Sequence, residues 1–427
     1  MSASAALRTP AAASTGVTAF LDRFAATRGQ LPGDGDARAA AAEALTALGL
    51  PGTVSGRRPE AWHFTSLRPL AGLGFAAPER ISGGALEIPG LDLAALAMPR
   101  VVFTDGVFDA AASSPPGTGF ATAAKGAGLA DAASLPLVAL NAMLAEDGAR
   151  IDVPEGVDAG ALLLVHRATQ PGTSAHPRHV LRLGAGAKLS VIEIATGVGE
   201  SLHNPVSEIV LEDGAELHHL RLQMEDAAAF HLASIHARLG AKAAYRGFTL
   251  ALGARLARTD LHLHMTGPGA HAAAHATQLL GGRQHGDITS LIVHDAPGCE
   301  SRQMVKNVLT GQAHGVFQGQ ILVDRLAQKT DGYQMHQALL LSDQAAVDCK
   351  PQLQIFADDV KCSHGATVGA LDADQMFYLQ SRGVPREQAR AMLVRAFLDD
   401  ALADLTDPVA HRLAEQAVAG FFERLPA

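Results

Sequence analysis

The residues of this chain best suited to chemistry stand in the run Asp358-Asp359-Val360-Lys361-Cys362-Ser363-His364-Gly365-Ala366-Thr367. In an extended strand Cys362 and His364 point to the same side, about 7 Å apart along the chain. Thiolate and imidazole are the side chains best matched to iron or to an iron–sulfur unit. Lys361 beside them favours the thiolate by its charge, although it points to the opposite face. Two ligands are too few for a stable cluster, so such a site needs groups from elsewhere, another chain included. A buried cysteine used as a small hydrophobe beside a hydrogen-bonded histidine fits the same spacing. Spacing alone leaves both readings open.

Other candidates are weaker. Nineteen histidines are present, clustered from His203 to His294. His262 and His264, or His271 and His275, share a face if extended and can hold a metal. No cysteine or carboxylate joins them at a recognisable spacing, so they read as polar positions on an outer face. Cys299 and Cys349 read as structural, Cys349 at a coil edge before Lys350-Pro351. Asp358 and Asp359 invite a second class, a β-helical polysaccharide-active enzyme with paired carboxylates. Adjacent strand residues point to opposite faces, however, and only 4% of residues are aromatic, few to stack on sugars. A histidine-rich metal-storage protein is a third class. No G-x-x-x-x-G-K-[ST], G-x-S-x-G or H-E-x-x-H is present, and Gly253, Gly267 and Gly269 make no dinucleotide fingerprint.

Composition sets the setting. A net charge of -9 and no dense Lys/Arg stripe argue against nucleic acid. No run reaches the roughly 18 apolar residues of a membrane span. Met1–Gly16 is Ala/Ser/Thr-rich with Arg8 as its charged side chain, which suits a short leader and not a secretory signal. Three cysteines at irregular spacing imply reduced thiols and a cytoplasmic setting.

The elements that must position these residues fall into four stretches. Residues 1–75 read as helical: Val17, Phe20, Leu21 and Phe24 form a stripe behind the capping candidates Ser14 and Thr15, and Asp36–Leu48 forms a second helix. Residues 76–150 read as a mixed connecting region with short strands. Over 151–371 the period becomes two, as in Leu261/Leu263/Met265 against Asp260/His262/His264, with Gly-Ala turns at Gly186, Gly214, Gly240, Gly253 and Gly269. Many short strands without intervening helices leave a sandwich, a barrel or a solenoid, and the recurring turns favour the solenoid. Residues 372–427 return to helix. Pro385 starts a stripe of Ala389, Met392, Leu393, Ala396 and Phe397, and Asp407-Pro408 starts one carrying Val409, Leu413, Ala417 and Phe421.

Three segments then resemble a known family: GQILVDRLAQKTDGYQ (Gly319–Gln334), LLLSDQAAVDCKPQLQIFADDVKCSHGATVG (Leu339–Gly369) and QMFYLQSRGV (Gln375–Val384), continuing through Arg390–Phe397. They are similar to the core of the SufB/SufD family of iron–sulfur cluster assembly scaffolds. Glu60-Ala61-Trp62-His63-Phe64-Thr65 resembles an aromatic motif that follows the N-terminal helices in its SufD branch. The KCSHGAT form, the length and the lack of a cysteine-rich N-terminal motif also resemble that branch; a SufB-like main scaffold is the alternative. Cys349 departs from the pattern.

The resemblance implies a mainly β protein, with a right-handed parallel β-helix core flanked by N-terminal and C-terminal helical regions. It implies a non-catalytic subunit paired with SufB through the β-helix and with the ATPase SufC through the C-terminal helices. ATP hydrolysis would then reside in SufC, which accounts for the missing phosphate loop. It further implies a transient iron–sulfur cluster or iron shared with SufB, with His364 a ligand and Cys362 beside it. Ser381, Arg382, Gly383, Arg390, Leu393 and Phe397 become the SufC contact region. Reduced flavin is expected in the complex, with no residue of this chain assigned to it.

Overall fold

Period-two stretches become parallel strands that alternate between two sheets. Ala244–Ala251 lies in one sheet, Leu256–Met265 in the other, and His271–Leu280 in the first again. Each coil gives one strand to each sheet, and about eight turns form a β-solenoid. The computed structural model describes residues 15–424 apart from 54–58, 82, 84–85, 94–95, 117–118, 124 and 404. Ser14, the side chain of Thr15 and the residues before Ser14 lie outside the described residues.

The coil length is not constant, which hides the repeat from sequence periodicity. The step from Ala244 to its lateral partner His271 is shorter than the step from His314 to Ala346. Turn chemistry varies as well. Gly186, Gly214 and Gly269 take left-handed backbone, while near Gly240 and Gly253 the residues that do so are Lys242 and Ala254.

Inward-facing side chains such as Val191, Leu217, Ala272, Ile292 and Ile321 stack from coil to coil along the lumen. Parallel sheets are stable only when both faces are covered, and helices cover each outer face. Helix α1 (Thr15–Thr27), α2 (Gly35–Leu48) and α3 (Pro136–Leu144) pack with Trp62 on Leu202, Phe230, Leu232 and Leu256. Asp34 caps α2 by accepting from the amides of Asp36 and Ala37. The aromatic motif is a clamp on this side. Arg258 lies over the Trp62 ring at 3.9 Å, Thr65 donates to Asp287, Gln318 donates to the Ala61 carbonyl (3.0 Å), and Lys350 pairs with Glu60.

At the C-terminus follow α4 (Ala373–Ser381), α5 (Arg386–Leu402) and α6 (Pro408–Arg424), the last capped by Asp407. The α5 stripe differs from the sequence expectation. Ala389, Val394, Leu398, Ala401 and Leu402 face the sheet, while Met392 and Ala396 are exposed. Two apolar rows run along this helix, and the sheet takes the row that can share Leu279, Val308 and Leu339 with Leu413, Ala417 and Phe421 of α6. Each fully buried Leu contributes roughly 1.5–3 kcal/mol, so the helices are firmly attached.

The two ends of the solenoid differ. At the first, Arg100–Thr104 joins the sheet in parallel, then turns antiparallel into Val107–Phe108; Phe120–Thr122 closes the second sheet antiparallel. Phe103, Phe108 and Phe120 plug this end, with ring centres 6.1 Å apart for the first pair and 5.4 Å for the second. The second end has no such closure.

Candidate functional site

Ala346–Ile355 and Lys361–Gly369 are the last strands of the two sheets, each hydrogen-bonded along one edge. Register sets Cys362 beside Gly332, and His364 beside Gln334, which itself lies beside Gln303. By alternation Cys362, His364, Ala366 and Val368 share the lumen-facing side. Cys362 is half-buried against the lumen core, whereas His364 is exposed and Val368 is 55% exposed. Those residues would be covered if another coil followed. None does, so the polar column Gln303–Gln334–His364 ends at solvent.

Cys349 lies on the facing strand beside Phe317, packed against Ala276, Ile288 and Val305. Burial pushes its thiol up to about 11. Burial also raises the Cys362 thiol, and the Gly332 amide only partly offsets this. The help expected from Lys361 therefore does not prevail: its side chain is on the other face, and the thiol is held protonated. Cys299 is fully buried, and burial raises its thiol too. Among the described residues no three ligand atoms converge at this end. It offers two donors on an open edge.

His262, His264, His271 and His275 stand on outer faces, alternating with the lumen-facing Leu261, Leu263, Ala272 and Ala274, but many other histidines do not. His264 is exposed and His262, His271 and His275 are half-buried. His166, His176, His179, His203, His219, His231, His236, His294 and His336 are buried. Several stand together inside the first coils. Glu193 there accepts from His219 Nε2 (3.0 Å) and Arg221 Nε (3.3 Å). Glu225 accepts at Oε1 from His231 Nδ1 (2.6 Å) and His203 Nδ1 (3.2 Å), and at Oε2 from Gln223 Nε2 (2.6 Å). The His166 ring centre is 4.8 Å from that of His203 and 4.9 Å from that of His179.

Burial alone would push both carboxyls up. Arg221 and His219 outweigh it at Glu193, as His231 and His203 do at Glu225, and both stay well below the usual carboxylate range. Burial drives the rings the other way, His179 to about 4, with His166 and His203 also lowered. Sequence reading missed this cluster because its members come from different coils. One signal was available: the spacing from His203 to His231 equals that from Lys188 to Glu216, one coil, and both pairs are lateral partners in their sheets.

The C-terminal candidates are split. Ser381, Arg382 and Gly383 are exposed, beside Phe377 (71% exposed) and Tyr378 (58%), whose ring carries the Arg382 guanidinium at 5.3 Å. Arg390 and Leu393 are half-buried. Phe397 faces the solenoid: its carbonyl accepts from Lys306 Nζ (2.6 Å), which also lies 4.8 Å from its ring centre.

A solenoid sealed at one end, with metal-binding side chain types on the unfinished edge of the other, has the form of an assembly scaffold. Comparison with known proteins gives it a family. Residues 166–397 match the model of the SUF system FeS cluster assembly SufBD core domain. The chain is 32% identical over 384 residues to the iron–sulfur cluster assembly protein SufD of Escherichia coli, covering 87% of this chain and 89% of that protein. It is 30% identical to the SufBD family protein slr0076 of Synechocystis, over 86% of each. Protein ABCI7, chloroplastic, of Arabidopsis thaliana is 35% identical over 60% of this chain and 57% of its own. The chain belongs to the SufBD family, and it is a subunit for iron–sulfur cluster assembly by the SUF system. No helix among the described residues is long and apolar enough to cross a membrane.

Proposed function

We propose that this chain is the SufD-type, non-catalytic scaffold of a Suf complex, completing its unfinished last coil against SufB. One observation carries the reading: both sheets end in open parallel strands, and the polar lumen column stops at an exposed His364. An unpaired edge with exposed Ile355, Phe356 and Val368 invites pairing with another chain. His364, with Cys362 behind it, supplies part of the ligand set for iron or a nascent cluster, and SufB supplies the rest. A protonated Cys362 suits the free chain; iron arriving at the interface would displace its proton.

SufC docks on the C-terminal helices. Support comes from the exposed Phe377, Tyr378, Arg382 and Met392, with Ser381 and Gly383 at the turn. Arg390 and Leu393 lie at the margin of this surface, and Phe397 anchors α5 to the solenoid so that movement of SufC reaches the sheets. ATP is hydrolysed on SufC. Reduced flavin is assigned to the complex and to no residue of this chain, and the setting is cytoplasmic with reduced thiols.

The test is reconstitution with SufB and SufC. His364→Ala is expected to leave the complex intact on gel filtration and to lower its iron and sulfide content several-fold. An unchanged cluster yield removes His364 from the ligand set. Failure of the wild-type chain to co-elute with SufB overturns the scaffold reading itself.

A further inference from the structure

The geometry points to a second metal site, far from the open edge: a buried divalent transition-metal site formed by His203, Glu225 and His231. Among the described residues this is the group of three in which the ligand atoms all lie within 4.8 Å of one another. The nearest approaches are 2.6 Å and 3.2 Å, both to Glu225 Oε1. Donors sharing one ion at about 2.0–2.2 Å must stand about 3 Å apart. Two imidazoles and one carboxylate suit iron(II), cobalt(II) or zinc, and are too few oxygens for magnesium or calcium.

Sequence and fold build the site together. His203 and His231 are lateral partners on adjacent parallel strands, so their rings leave the sheet side by side, with centres 5.2 Å apart. Glu225 follows the strand Glu216–Gln223 of the other sheet, and Gln223 fixes its second oxygen. The ion therefore bridges the two sheets within the first coils.

Three further observations favour a cation over a plain hydrogen-bonded network. Among the described residues Glu225 has no lysine or arginine within ion-pair distance, since Arg221 serves Glu193. A buried carboxylate without a full counter-charge is expensive. Next, His203 Nε2 and both nitrogens of the neighbouring His166 are buried without hydrogen-bond partners. Last, two of the three ligands border open space: His203 lines a narrow crevice with Gly106, His166, Thr173 and Ser201, and Glu225 lies on the wall of a larger cleft.

Loading balances without oxidant or reductant. Arg221 Nη2 donates to His231 Nε2 (3.3 Å), so the His231 hydrogen sits on Nδ1 in the empty site. When Nδ1 of each ring takes the ion, its hydrogen passes to Nε2 of the same ring. Arg221 gives up its long contact and stays on Glu193. No proton is released and no electron moves; the ion adds two positive charges beside one carboxylate.

The full-length chain, stripped with chelator, is titrated with cobalt(II) and, anaerobically, with iron(II). One ion per chain is expected, and X-ray absorption of the cobalt form should show two imidazole nitrogens and oxygen, with no sulfur. Glu225→Gln and His231→Asn should each weaken cobalt binding at least tenfold, while Cys362→Ala and His364→Ala leave it unchanged. Absence of stoichiometric binding, sulfur in the first shell, or full affinity in Glu225→Gln overturns the site. If circular dichroism finds a variant unfolded, the wild-type absorption spectrum decides. The site is independent of SufB docking, so its failure leaves the scaffold reading intact.

Discussion

The two ends of the solenoid solve opposite problems with the same coil. At the first end an antiparallel turn and three phenylalanines stop the sheets, and the polar side chains behind them are buried and mutually bonded. At the last end the sheets simply stop, and the same inward-facing register delivers His364 and Val368 to solvent. A lumen-facing position thus has no fixed character. Whether it is a core residue, a sealed polar network or a docking surface depends on what lies over its coil.

The sealed end should carry the larger stability effects. Arg221→Ala leaves Glu193 buried beside His219 without its guanidinium, and Arg221 is 4% exposed. Removing one partner of a buried pair costs about 3–5 kcal/mol, so chemical denaturation should find a loss of that order. A loss below about 1 kcal/mol, the range of solvent-exposed pairs, would mean that water already reaches this end. The pH response of two of its buried histidines is somewhat smaller. Burial holds His179 at about 4 and His176 at about 3, against about 6.5 in the unfolded chain. Folding thus favours their neutral forms, and the unfolded state binds more protons below pH 6.5. Stability should fall as pH drops, by about 2.5 kcal/mol for the pair between pH 7.5 and 5.5. The ionised Glu193 and Glu225 add a further loss only below about pH 4.3. His179→Gln, which keeps an acceptor for the Ala149 amide, should remove about half of the loss assigned to this pair, roughly 1.3 kcal/mol, and leave the share of the other buried histidines; an unaltered slope places the titration elsewhere.

The open end was legible in the sequence and the sealed end was not. Cys362 and His364 sit in one strand, so their shared face follows from a local period of two. The Leu413/Ala417/Phe421 row of α6 was legible for the same reason, because it records packing on a single surface. Helix α3 escaped notice because all of its residues but Ala142 are buried, which leaves no polar face to mark its period. Helix α5 carries two apolar rows, and only the position of α6 chooses between them: of the stripe expected from sequence, Ala389 is buried and Phe397 packs on the solenoid, while Met392 and Ala396 are exposed. His203, Glu225 and His231 meet through the coil register, and coils of unequal length blur that register in one sequence. His166 and Glu193 were hidden for the same reason, since each takes its character from the coil above it.

The smallest stability effect should accompany the largest effect on assembly. Val368 projects from the last coil at 55% exposure, and Phe356 stands at the adjoining turn, also 55% exposed. Replacing either with lysine removes little buried surface, so the free chain should change by no more than about 0.5 kcal/mol. Pairing this edge with another chain, however, would bury the new ammonium at the seam, where an unpaired charge is costly. Val368→Lys and Phe356→Lys should therefore unfold like the wild type yet weaken association with SufB at least tenfold, as read by gel filtration or by titration of one chain into the other. Arg221→Ala should do the converse, and lower stability while leaving the docking edge competent at temperatures where the chain is folded. A loss of about 2 kcal/mol in the free Val368→Lys chain, the worth of a fully buried valine, would show that the chain itself already covers Val368. The last coil would then be a second sealed end, and the partner surface would have to be sought on the C-terminal helices around Phe377 and Tyr378.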